Sequence, residues 1–218
     1  MQLSKFIAVT EDLEKRQGFG EGSFTEARAN LGDDFLLKPL SLYGMTTYYY
    51  HFLSDWHSYR HEIDWQRLVA SWGTAQQKIA AGLVNSNLEN ASDSELSNAA
   101  GLFNHLRRNS VAGMGITNIS KLLALGLPSI CMMWDQRIMK DFKRMYPPRP
   151  SSKSNTYHQF LLHQRSELQN LISQVQATNN QTKHQAIIWL MELPKRANCQ
   201  NKAKPLAKLL DEYYWSQL

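Results

Sequence analysis

Cysteine is nearly missing from this sequence: Cys131 and Cys199 are the two among 218 residues. A disulfide scaffold is excluded, and so is a four-cysteine zinc or iron–sulfur site, because both need more thiols than the chain has. Two reduced thiols of a cytosolic protein are the expectation. Long apolar runs are also missing. None approaches the ~20 residues that a membrane span requires, so no membrane partner is expected. The first segment turns charged at Glu11 and Asp12, early for a secretory leader, and a cytoplasmic location is the expectation. Strict apolar–polar alternation is lacking, which argues against half-buried strands. No internal repeat is present.

What is there is helical spacing. Hydrophobic residues make up 43% of the chain and aromatics 11%, with six Trp. That suffices for one sizeable core, or one core divided around a cleft. The net charge of +5 is compatible with nucleic acid without demanding it. The glycines at 18, 20, 22 and 32 predict an irregular arm over residues 1–40. A helical stretch carrying Tyr48, Tyr49, Tyr50, Phe52, Trp56, Tyr59 and Trp65 is predicted from about Leu42 to Trp72, and a helix capped by Thr74 runs toward Leu83. Ser92-Asp93-Ser94-Glu95 is a capping box. It opens a helix that buries Leu96, Ala99, Ala100, Phe103 and Leu106. Further helices are predicted on Ile116 to Leu125, Gln136 to Tyr146, Tyr157 to Val175, Ile187 to Leu193, and Leu206 to Tyr213. The class is all-α.

Two features carry chemistry. Gly113-Met114-Gly115 stands directly before a helix. Glycines there let an anion approach the unpaired N–H groups and positive pole of the helix. Gly113, Gly115, Thr117, Asn118 and Lys121, with Ser120, are the candidate phosphate ligands. An ordinary tight turn is the alternative, and it stays open. Asp135 follows the apolar run Ile130 to Trp134 and precedes a helix. A capping role and a catalytic role are both available to it, and the two are compatible. Arg107, Arg108, Arg137, Lys140, Lys143, Arg144 and Arg149 crowd around these motifs, as a phosphate-tracking surface or as solvated helix faces. Tyr50, Trp56, His57 and Tyr59 offer stacking faces for a base, against the plainer reading of such aromatics as core. His57 and His61, with His51 nearby, could share a metal by spacing. The zinc-protease order is absent, so no metal and no cofactor is expected.

Taken together, glycine hairpin, amphipathic helix, Pro128 turn, apolar run and Asp135 resemble the helix-hairpin-helix DNA glycosylase superfamily, over roughly residues 102 to 146. The resemblance implies a two-lobed helical fold in one compact unit. Residues 74–150 would form the hairpin lobe, and 41–73 with 151–218 the second lobe. It also implies a monomer that flips a nucleotide out of double-stranded DNA and hydrolyses its N-glycosidic bond, with Asp135 as the catalytic carboxylate. Thr117 stands where bifunctional members carry a lysine, which implies a monofunctional enzyme that leaves an abasic site uncut. Ile119 replaces a usual small residue, Gln136-Arg137 replaces a frequent histidine, and the cysteine cluster of some members is missing. The aromatic-rich N-terminal half points to a bulky modified base, such as those in phage genomes, and so to antiviral defence. The rival readings are a noncatalytic DNA-binding module built on the same hairpin, a metal hydrolase, and a helical protein-interaction domain.

Overall fold

In the computed structural model the described residues are 1–15, 21–55, 62–109, 111–135, 138–140, 142, 156–198 and 202–216. Among them the regular structure is all helical. The chain opens with α1 (Leu3–Lys15) and α2 (Glu21–Leu31), then a 3-10 turn at Phe35–Leu37. Next come α3 (Leu42–Gly44) and α4 (Tyr50–Asp55), joined through a π-helical turn at Met45–Tyr49. There follow α5 (Trp65–Ser71), α6 (Thr74–Leu83), α7 (Asp93–Arg108) and α8 (Ile116–Gly126). The remainder is α9 (Thr156–Asn179), α10 (Lys183–Met191), α11 (Leu193–Ala197) and α12 (Leu206–Ser216). No described helix is long and apolar enough to cross a membrane.

The irregular arm expected over 1–40 is instead two helices. Phe6, Phe24 and Ala27 enter the core from them. Along α1 the buried positions are Phe6, Thr10 and Glu14, spaced four apart. The stripe is helical, but two of its three members are polar, so hydropathy does not reveal it. Local signals hold elsewhere. Ser92 accepts from the Glu95 N–H at 3.2 Å while the Glu95 carboxylate accepts from the Ser92 N–H at 2.7 Å, a reciprocal satisfaction of two orphan donors. Thr182 and Gln185 repeat the arrangement ahead of α10. At α6 the cap is Gly73 rather than Thr74, with Gln76 Oε1 accepting from the Gly73 N–H at 3.2 Å.

Packing builds outward from α8. Every residue of that helix from Asn118 to Gly126 is buried. A helix enclosed on all sides belongs in the middle of a molecule, and Leu122, Leu123 and Leu125 are each fully enclosed, worth about 1.5–3 kcal/mol apiece. Helices α2 and α7 pack against it. Gly126 lets the Phe35–Leu37 turn close over the helix end: a Cβ there would stand 2.2 Å from a Leu36 methyl. Helix α1 packs with α9, α11 and α12, while α9 also meets α7 and α10. The elements from Leu42 to Asp55 lie on α2. Tyr49, fully buried, donates its hydroxyl to the Asn118 carbonyl at 2.5 Å and ties that stretch to α8.

Candidate active site

The glycine turn is built from inside. Asp64 N–H donates to the Ala112 carbonyl at 3.1 Å, and Met114 N–H to the Val111 carbonyl at 3.1 Å. Gly113 has φ +73°. A Cβ on it would stand 2.6 Å from the Glu62 carbonyl oxygen and 2.7 Å from Ile63 Cγ1. This glycine is therefore required by the Glu62–Ile63 backbone packed against it. Gly115 differs: it is exposed, its φ is −69°, and nothing lies within 4 Å of where a Cβ would be. It is the N-cap of α8. The first intrahelical bond runs from Ile119 N–H to the Gly115 carbonyl at 3.0 Å.

The expected phosphate ligands separate accordingly. Gly115 and half-buried Thr117 sit at the open start of α8. Asn118 does not: it is buried, and its Nδ2 donates to the Gly113 carbonyl at 2.9 Å. Ser120 is fully buried, donating to the Thr117 carbonyl at 2.9 Å and accepting from the Trp134 N–H at 2.7 Å. Lys121 is 1% exposed and cannot meet a phosphate at the surface. Depth along the helix explains all three, since α8 is buried on every side from Asn118 onward and only its first residues reach the surface.

Asp135 follows a buried run, Ile130 to Trp134. Cys131 N–H bonds the Leu127 carbonyl at 2.8 Å. Tyr157 bridges Met132, accepting its N–H at 3.2 Å and donating to its carbonyl at 2.8 Å. Trp134 is caged by Phe160, Phe142 and Tyr157, with ring centroids at 4.4, 5.7 and 5.5 Å. The Ser120–Trp134 bond then fixes this run on the hairpin helix. Ser120→Ala would leave the Trp134 N–H without a partner in the core, and should cost about 1–3 kcal/mol of stability. Chemical denaturation reads that loss; an unchanged midpoint would show that the bond does not hold the run.

After that buried run, Asp135 is half-buried. Its Oδ1 accepts from the Ile138 N–H at 3.4 Å, and its carbonyl accepts from the Met139 N–H at 2.9 Å. Both bonds are of the kind an N-cap makes; Gln136 and Arg137, and most of the helix expected from Gln136 to Tyr146, lie outside the described residues.

Behind it lies a feature that the sequence reading missed. Charged side chains alternate in sign through the interior. Lys204 on the approach to α12 bonds Glu14 of α1 at 2.5 Å and Glu212 at 3.2 Å. Lys208 lies 3.4 Å from Glu212, and it is the strongest opposite charge acting on Asp211. Lys121 of α8 follows, acted on by Asp135 first and Asp211 second among carboxylates. Burial pulls the Lys121 ammonium down to about 8, against both carboxylates. Burial likewise pushes the Asp211 carboxyl up to about 7, opposed by Lys208, by a hydrogen bond from the Met133 backbone and by Lys121. The outlying clue was in α8, where Lys121 is the one charged residue of an otherwise uncharged helix.

Of the base-pocket candidates, Tyr50 is half-buried, edge-on to Trp65 with centroids 6.5 Å apart. Trp56, His57 and Tyr59 lie outside the described residues, as does His61. Tyr49, Trp72 and Tyr213 are core, in line with the plainer reading of such aromatics. A cleft of about 520 Å³ flanks the hairpin at Ala112, lined among others by Leu42, Thr46, Ile63 and Trp65. Tyr43 stands beside it in sequence, 66% exposed. The basic residues Arg107, Arg108 and Lys140 are exposed; Arg137, Lys143, Arg144 and Arg149 fall outside the described residues. No family model, no curated protein and no solved structure matches the chain.

Proposed function

Starting from a carboxylate held at a helix N-terminus and locked to the helix of a glycine hairpin, we propose that the protein is a monofunctional DNA glycosylase of the helix-hairpin-helix type. The observation that carries this reading is the Ser120–Trp134 hydrogen bond. It sets the Asp135 run and the Gly113-x-Gly115 turn in one rigid frame, so that a strand gripped at Gly115 has a fixed relation to the carboxylate.

On this reading the open N-terminus of α8 takes a backbone phosphate, a contact that positions without reading sequence. The target nucleotide leaves the stack, because its anomeric carbon is otherwise out of reach. As the C1′–N bond breaks, its electron pair leaves with the base and positive charge develops on the sugar. The Asp135 carboxylate stabilises that charge and orients the water that attacks C1′. Water gives its hydroxyl to C1′ and its proton ends on the base or solvent. The product is an uncut abasic site, since Thr117 offers no amine. A two-lobed arrangement, monomeric action on double-stranded DNA, and a bulky modified base as substrate complete the proposal.

The deciding experiment incubates the protein with damaged, natural and phage-modified DNAs and identifies released bases by mass spectrometry. Release of a free base with alkali-labile, uncut product is expected. Binding should weaken with salt, with a log–log slope near −0.9 per phosphate neutralised. Salt-sensitive binding without any released base would instead favour a noncatalytic hairpin module.

A further inference from the structure

The cleft beside the hairpin holds about 520 Å³, within the range of small-ligand sites, about 300–1,000 Å³. Glu62 and Asp64 line it, and both are exposed. Asp64 also caps α5, accepting from the Arg67 N–H at 3.0 Å. Neither carboxylate makes a salt bridge among the described residues. Elsewhere Asp33, Asp34, Asp93 and Glu192 each meet an arginine or a lysine. The chain carries a net charge of +5, so cations to neutralise this cleft are plentiful, yet no described one is within ion-pair reach. The rest of the lining is of another kind. Trp65 is half-buried and edge-on to Tyr49 and Tyr50, with centroids at 6.3 and 6.5 Å. Leu42 and its neighbour Tyr43 are exposed apolar side chains. Thr46 lies on the π-helical turn, an interruption of the kind frequent at functional sites. Carboxylates beside aromatic faces attract a cation twice, by charge and by the ring quadrupole. The same carboxylates repel a phosphate.

We propose that this cleft binds a protonated amine carried on a modified base of the DNA strand gripped by the hairpin. The proposal rests on the reading of the hairpin as a phosphate grip, and it names the chemistry of the modification. Ala112 belongs to the cleft wall, and Gly115, three residues on, opens α8. The chain between them spans at most about 10 Å, or about three nucleotide rises. A base that close to the gripped phosphate can extend an alkylammonium into the cleft. Its methylenes then lie on Leu42 and Trp65, and its charge lies at Glu62 and Asp64. A neutral substituent of the same size gains only the apolar contact. Ordinary DNA gains neither, so the cleft determines specificity while the start of α8 supplies the grip.

The test has two arms. The first uses one duplex in two forms, carrying a single 5-aminoallyl-deoxyuridine or the same base with its amine acetylated, and measures equilibrium binding at fixed salt. Added positive charge on the DNA should by itself weaken binding to a basic protein, so tighter binding of the amine form is diagnostic. A preference of about 10-fold for that form is expected. Glu62→Gln with Asp64→Asn should abolish the preference and keep the affinity for unmodified duplex, because asparagine still caps α5. Equal affinity for the two forms overturns the proposal, as does a preference that survives in the double variant. The second arm titrates the full chain with the free aminoallyl nucleoside and follows the Trp65 indole N–H by NMR, assigned with Trp65→Phe. A shift with the amine nucleoside and none with its acetylated form is expected. No shift, or the same shift with both, overturns the proposal. A chain that binds no DNA yet shows the amine-dependent shift sinks the hairpin reading and leaves the cleft as an amine site. DNA binding and base release without an amine preference sink the cleft proposal alone.

Discussion

Asp135→Asn should lower base release by at least about 100-fold while leaving DNA affinity and fold in place. The substitution is chosen because it separates two roles that one side chain can hold. Asparagine caps a helix about as well as aspartate, so the bond from Ile138 N–H survives and stability should change by less than about 1 kcal/mol. What is lost is the negative charge. If that charge serves only the helix dipole, catalysis is untouched. If it faces a developing sugar cation, the amide cannot replace it. Single-turnover assays with excess enzyme isolate the bond-breaking step, and equilibrium binding at fixed salt checks the grip. Turnover near wild type would reduce Asp135 to a cap and end the glycosylase reading.

The second large effect concerns stability. Gly113→Ala should destabilise the protein by about 3 kcal/mol, the sum of strain at a left-handed backbone position and of overpacking. The obstruction is the Glu62 carbonyl oxygen, 2.6 Å from the added carbon, with Ile63 Cγ1 at 2.7 Å. A backbone carbonyl cannot rotate aside as a side chain can. Gly115→Ala is the internal control. Its Cβ meets nothing within 4 Å, and the cost of alanine at an N-cap is about 1 kcal/mol or less. The two glycines of one motif should thus differ in kind: Gly113→Ala lowers the denaturation midpoint, while Gly115→Ala acts mainly on DNA affinity by crowding the start of α8. Equal loss of stability in both would show that the Glu62–Ile63 packing is not what holds the turn.

How much of this could be read beforehand follows from how local each signal is. The Ser92 capping box, the long stripe of α9 and the hairpin before α8 are each written within a few residues, and the helices stand where those residues put them. The Asp135 cap is local in the same way. Helix α1 escaped notice because Thr10 and Glu14 occupy its inward face, and the partner that lets Glu14 be there, Lys204, is distant in sequence. Lys121 likewise reads as a phosphate ligand until the surrounding helices enclose α8. Asn118 and Ser120 were misjudged for a related reason. A polar side chain one turn into a helix looks available for a ligand, and here both are consumed by backbone groups of the hairpin and of Trp134.

The enclosure of α8 on every side has a consequence for how the molecule can fail. The same rod that presents the open glycine at one end is the spindle on which the neighbouring layers turn inward. It has no slack face along which to slip. Distortion of the hairpin beyond its first turn would require prising those layers apart, so inactivation by heat and collapse of the whole architecture are one event.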